Sequence, residues 1–204
     1  YGSLGTGSLA SVLSPVVVPA LAGATTIAGG APEARFACML DASRQVRCWG
    51  GGAWYAYGDG TEDPNAYRLA PPAAGIAGGP YVQLSVGYVH ACAVTVGGAL
   101  NCWGSNNWGQ LGNGTNTDAH TPASVRDPYF SYSNFGSIDR VFAAAEATCA
   151  IRNTGDVWCW GSNYANRFTS DSSGAPITLP RSVDARAARS VAISNAGLCV
   201  LFEN

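Results

Sequence analysis

Apolar residues along this chain fall in short runs separated by turn residues. Val82-Gln83-Leu84-Ser85-Val86 alternates with a period of two, as a half-buried strand does. Val141-Phe142-Ala143-Ala144-Ala145 and Ser190-Val191-Ala192-Ile193-Ser194 are strand-like runs of the same length. A second set is led by proline: Pro15-Val16-Val17-Val18, Pro122-Ala123-Ser124-Val125 and Pro180-Arg181-Ser182-Val183. Clusters of Gly, Pro, Asn and Ser punctuate these runs, and no helical period is sustained. The pattern predicts an all-β chain of short strands.

The cysteines make the pattern periodic. Cys38 and Cys48, Cys92 and Cys102, and Cys149 and Cys159 are each ten residues apart. The first members, continued by Cys199, follow one another at steps of 54, 57 and 50 residues. Arg47-Cys48-Trp49-Gly50, Asn101-Cys102-Trp103-Gly104 and Trp158-Cys159-Trp160-Gly161 repeat the same four-residue ending. The midpoints of the three pairs, Ser43, Gly97 and Thr154, lie among turn residues, so each pair spans a β-hairpin with its cysteines directly opposed. Opposed cysteines at such a spacing read as disulfides and as an oxidising compartment. Free buried thiols are another reading. A zinc site is a third, but it needs about four ligands, and the chain adds two histidines, His90 and His120.

Four strands in each unit of roughly 50 residues is the arithmetic of a β-propeller blade. A blade buries its faces only against neighbouring blades, so the fold requires the array.

Composition narrows the function. Charged residues are 12% and AVILMFWYC residues 47%, which excludes a disordered polymer. The net charge is −2, and all 11 basic residues are arginine. Nucleic-acid wrapping needs a basic surplus that is missing here. Without lysine there is no P-loop lysine and no Schiff base. The apolar stretch Val12–Ala28 carries Pro15 and Pro19 and is too short for a membrane span. No basic-then-apolar leader is visible at Tyr1.

His90-Ala91-Cys92-Ala93-Val94, followed by Cys102-Trp103-Gly104-Ser105-Asn106-Asn107-Trp108-Gly109-Gln110-Leu111-Gly112-Asn113-Gly114, resembles the regulator of chromosome condensation repeat. Tyr1-Gly2-Ser3-Leu4-Gly5 is similar to the same turn. Tyr57-Gly58-Asp59-Gly60 lacks its Leu, and Asn166-Arg167-Phe168-Thr169 has lost it. The resemblance implies a propeller, usually of seven blades, of which this chain holds about four. The expected repeats are 1–53, 54–107, 108–164 and an incomplete 165–204. Tyr1 then starts just after an expected Cys-Trp-Gly and Asn204 stops at a hairpin turn. The chain therefore reads as a window of a longer ring, with the mate of Cys199 outside it. Bonding of Cys199 to another chain is the alternative.

Candidate chemistry is sparse. Trp49, Trp103 and Trp160, the tryptophans of the three Cys-Trp-Gly endings, are expected to pack between blades; Trp158 also lies beside a cysteine, and Trp54 and Trp108 lie in turns. His90 shares a strand face with Cys92, and His120 is on a loop. Neither has a nucleophile elbow or a carboxylate orienter, so no catalytic residue is assigned. The acidic residues Glu33, Asp41, Asp59, Glu62, Asp63, Asp118 and Asp156 show no paired signature. Asp59-x-Thr61-x-Asp63 lacks the terminal Glu of a calcium loop, so no metal or other cofactor is expected. Asn113-Gly114-Thr115 is a glycosylation sequon.

The expected function is a non-enzymatic structural or interaction domain, extracellular or at the cell surface. It would dock a protein or glycan partner, a second copy, or the remaining blades of its ring through loop residues Trp54, Tyr55, Tyr57, Trp108, Tyr129, Phe130, Tyr132 and Tyr164. The resemblance implies two alternatives. One is guanine-nucleotide exchange on a small GTPase. The other is enzyme inhibition of the kind performed by secreted propellers that cap β-lactamases.

Overall fold

The computed structural model describes residues 2–30, 35–61, 67–130, 133–164, 175–184, 186–194 and 197–202. These residues form three four-stranded antiparallel sheets and one two-stranded sheet, with no α-helix among them. The first sheet holds β1 (Ala24–Gly29), β2 (Phe36–Asp41), β3 (Val46–Gly51) and β4 (Tyr67–Arg68). The second holds β5 (Tyr81–Val86), β6 (His90–Thr95), β7 (Leu100–Gly104) and β8 (Ala119–Ser124). The third holds β9 (Ile138–Ala144), β10 (Ala147–Arg152), β11 (Val157–Gly161) and β12 (Ile177–Asp184), and β13 (Ala188–Ile193) pairs with β14 (Leu198–Phe202). Strand order within each sheet follows the chain. The boundaries at 53, 107 and 164 fall inside sheets, so each four-stranded sheet takes its last strand from the repeat that follows.

The hairpin register places Cys38 opposite Cys48, Cys92 opposite Cys102 and Cys149 opposite Cys159. All three pairs are disulfides, with Cα–Cα separations of 4.0, 4.1 and 4.1 Å, as expected for directly facing residues at the close positions of an antiparallel pair. Cys199 is free and exposed.

Sheets stack in chain order. The first strand of each sheet lies against the first two strands of the sheet before it: β5 on β1 and β2, β9 on β5 and β6, β13 on β9 and β10. Apolar side chains fill the seams. Leu84 and Val86 join the core with Cys38, Cys48 and Leu40, while Val141 and Val191 join the one with Cys92, Cys149 and Trp160. Burial of that continuous apolar surface is the main stabilising term, because no sheet buries both faces alone.

A tryptophan clasp ties each four-stranded sheet to the turn that precedes it, across the first two seams and, for the first sheet, to the N-terminal segment. The indole N–H of Trp160 donates to the carbonyl of Gln110 at 2.9 Å, Trp103 to Ala56 at 3.1 Å, and Trp49 to Ser3 at 2.9 Å. A glycine lets the indole lie flat on the turn. A Cβ on Gly112, at φ +65°, would stand 2.6 Å from Trp160 Nε1.

One strand expectation requires correction. Pro15–Val18 is not a strand, although the equivalent Pro122 and Pro180 segments lie in β8 and β12. Those two pair with β7 and β11, whereas Pro15–Val18 has no third strand beside it among the described residues. A lone strand leaves its ladder groups unsatisfied and does not form.

Candidate interaction surface

Strand polarity decides which loops share a face. The β3–β4, β7–β8 and β11–β12 connections emerge at one end of the stack, beside the short β5–β6 and β9–β10 turns, and Tyr88 N–H donates to Ala145 O at 2.9 Å across that end. The β6–β7 turn and the β8–β9 connection lie at the other end, where Ile138 N–H donates to Gly98 O at 3.0 Å.

The first face carries exposed Trp54, Trp108 and Tyr164. They recur at nearly equivalent places: Trp54 four residues after Gly50, Trp108 four after Gly104, Tyr164 three after Gly161. Each strand-ending glycine has φ near +100° and lies so close to the start of the second strand that a Cβ would meet the carbonyl of residue 35, 89 or 146 at 2.4–2.6 Å. That contact launches each loop in the same direction. Beyond it, Asn106 fixes the Trp108 loop. Its buried carboxamide donates to Asn113 Oδ1, Thr115 O and Thr117 O at 3.2, 2.9 and 3.0 Å and accepts from Leu111 N–H at 3.0 Å. Trp108 N–H in turn donates to Gln110 Oε1 at 3.0 Å.

Trp54 and Tyr55 both sit in the left-handed region, at φ 61° and 60°. Such residues cost of order 1–3 kcal/mol and tend to mark surfaces under functional constraint. Trp54 flanks a cleft of about 170 Å³ that Arg35, Phe36, Tyr88 and Val89 also line, at the seam of the first two sheets. Neither Arg35 nor Tyr88 carries a repeat signal, so the pattern did not single them out. Asn106 did lie within the motif, and its burial identifies it.

The other candidates separate. Tyr55 stacks on His120 with ring centroids 3.6 Å apart. Tyr57 is not a surface contact; it is buried, donating its hydroxyl to Gly50 O and accepting from Arg68 N–H at 3.0 Å. It occupies the position held by Leu111 in the next repeat, which is why an apparent loop aromatic is core. Tyr129 and Phe130 are exposed on the opposite face, where Asp127 Oδ1 accepts both backbone N–H groups at 2.9 and 3.2 Å. Tyr132 lies outside the described residues, as do Glu33, Glu62, Asp63 and 166–169.

His90 is structural. Thr148 Oγ1 gives its one proton to Gln110 O at 2.8 Å, so the imidazole Nε2–H donates to Thr148 at 2.9 Å. Complete burial pushes its pKa down to about 3. Asp59 is taken up by Thr61 and Arg68. Among the described residues no three His, Cys, Asp or Glu side chains are placed to hold a metal ion, and no helix is long and apolar enough to cross a membrane. Asn113 Oδ1 accepts from Thr115 N–H and Oγ1 at 3.1 and 2.8 Å, bonds that engage the oxygen rather than the nitrogen a glycan would join.

Four-stranded antiparallel sheets, stacked in sequence and tied by recurring indoles, define a β-propeller repeat protein. The model for the regulator of chromosome condensation (RCC1) repeat matches residues 98–151, and a second model of the same repeat matches 81–110 and 140–167. The stretch the two models match together, residues 81–167, is made of RCC1 repeats. It is 29% identical over 166 residues to the ultraviolet-B receptor UVR8 of Arabidopsis thaliana, spanning 81% of this chain and 36% of that relative. Human WBSCR16 superposes with a TM-score of 0.73 at 18% identity, over 86% of this chain and 44% of that one. Prp20p of Saccharomyces cerevisiae, described with its binding to Gsp1p and histones, superposes with a TM-score of 0.60 at 18% identity, over 83% and 41%. The chain thus spans well under half the length of each of these relatives.

Proposed function

We propose that this propeller is a non-enzymatic docking module of an extracellular or cell-surface setting. On this reading it holds a protein partner on the face that carries Trp54, Trp108 and Tyr164. The recurrence of an exposed aromatic at one loop position in three successive sheets carries the reading. Large aromatics on rigid loops make efficient interface anchors. Three buried disulfides support the oxidising setting. In a host that glycosylates secreted proteins, Asn113 would carry an N-glycan.

Prp20p favours the exchange-factor alternative, through the protein partners in its description. A net charge of −2 and the disulfides fit that alternative poorly. A glycan ligand or an enzyme to be inhibited would use the same aromatic face.

Two measurements test the proposal. Alkylation of protein purified from its native source and unfolded in denaturant without reductant should label one thiol per chain, Cys199; labelling of all seven would remove the oxidising setting. Photo-crosslinkers at position 108 should capture the partner and those at position 130 should not. The reverse pattern would move the site to the other face.

A further inference from the structure

The cleft at the seam of the first two sheets has one-sided chemistry. Arg35, Phe36, Trp54, Tyr88 and Val89 line it around a volume of about 170 Å³. Two of its carbonyl groups are already used: Arg35 O accepts Gly51 N–H at 2.6 Å, and Val89 O accepts Ser105 N–H at 2.9 Å. The Tyr88 hydroxyl and the Trp54 indole N–H make no hydrogen bond among the described residues. No acidic side chain among the described residues lines the cleft. Its polar side-chain groups are a guanidinium, an indole N–H and a phenol O–H, each able to donate. The buried ring of Phe36 and the side chain of Val89 are its apolar walls.

The wall that carries Trp54 is held in place by its own loop. Tyr55 stacks on His120, Gly58 N–H donates to Tyr55 O at 3.2 Å, and the Trp103 indole donates to Ala56 O at 3.1 Å. These contacts hold the left-handed pair Trp54 and Tyr55. Tyr88 is anchored by its backbone N–H, which donates to Ala145 O at the β9–β10 turn. A site ordered in this way gives up little freedom when a ligand enters it.

We infer that this cleft receives an aspartate or glutamate side chain of the docked protein partner. The inference rests on the docking reading above and names what the partner presents beside Trp54. A planar guanidinium meets a carboxylate with two parallel hydrogen bonds. The phenol and indole donors suit the remaining lone pairs, and Phe36 and Val89 take the methylene stem. A phosphoryl group carries about two negative charges and is ordinarily met by clustered arginines. Here Arg35 alone among the described lining residues is cationic, which balances one carboxylate. The net charge of −2 gives no long-range attraction for an acidic partner, so the recognition is local to the cleft.

The test selects peptides from a random displayed library on the full 204-residue chain, with a photo-crosslinker at position 108 as a second readout. The selected peptides should share an Asp or Glu. Changing that acid to its amide should weaken binding about tenfold, as should Arg35→Gln, and Tyr88→Phe should weaken it severalfold. The Arg35 side chain is exposed, so its replacement leaves the core intact. Arg126→Gln, at an exposed arginine outside the cleft, should leave binding unchanged. Peptides that need no acid, or whose binding survives Arg35→Gln, overturn the inference. If such peptides are captured from position 108, the docking face stands and only the cleft falls. If they are not captured, both fall, as they do if no peptide is selected. Peptides that need Arg35 and their acid yet escape capture keep the cleft and overturn the wider face.

Discussion

Trp160 reaches across a blade seam to the carbonyl of Gln110 at 2.9 Å, and the same carbonyl accepts the Thr148 hydroxyl at 2.8 Å. Trp160→Phe should cost about 2 kcal/mol, part for the lost indole bond, with Gln110 O keeping a donor, and part for the space the smaller ring leaves in a fully buried site. Gly112→Ala should cost more, about 3 kcal/mol, because it strains a left-handed backbone and drives a methyl into the indole. Urea unfolding of the two variants checks the order.

Each disulfide closes a ten-residue separation in sequence. Replacing both members of one pair with alanine should lower stability by about 3 kcal/mol. The replacement Cys149→Ala with Cys159→Ala should also loosen β13, which packs on β10. Hydrogen exchange at β13 reads that second effect.

His90 makes stability depend on pH with a definite sign. Its ordinary pKa of 6.5 is lowered to about 3 by burial. The unfolded chain therefore binds a proton that the folded chain refuses between pH 6.5 and 3. Stability should fall as pH drops through that window, by up to about 1.4 kcal/mol per pH unit, and show no contribution from this group above it. His90→Gln should flatten the slope between pH 6.5 and 4.5. Asp59 and Asp156 act in the same direction only below about 4. Burial alone would raise their pKa values, but hydrogen bonds from Thr61 and Arg68, and from Thr154 and Trp158, outweigh it and lower them.

Asn106→Ala should disorganise the face without unfolding the stack. It orphans Thr115 O, Thr117 O and Leu111 N–H together, a loss of about 2–4 kcal/mol. The fluorescence of exposed Trp108 should shift while the far-ultraviolet dichroism of the sheets stays unchanged.

The hairpins were legible because a cysteine, a turn and a Trp-Gly ending mark each one within ten residues. β1 was not. Ala24-Thr25-Thr26-Ile27-Ala28-Gly29 follows an apolar stretch without a clear break, and only pairing with β2 selects it as the strand. The proline-led pattern at Pro15–Val18 misled for the complementary reason: a strand-forming sequence needs a neighbour. Tyr57 could have been placed by aligning it on Leu111, since both precede the clasp glycine. Trp54, Trp108 and Tyr164 are legible in the sequence only as three of several loop aromatics; that they share one end of the stack depends on strand polarity. The cleft at Arg35 and Tyr88 is not legible, because it joins segments far apart in sequence.

Each bridge is sealed by the strand that follows it in the stack: Cys38 and Cys48 lie with Leu84 and Val86 of β5, and Cys149 and Cys159 with Val191 of β13. A reductant can reach such a sulfur only when the two neighbouring sheets part, so the rate at which a bridge is lost reports how often its seam opens.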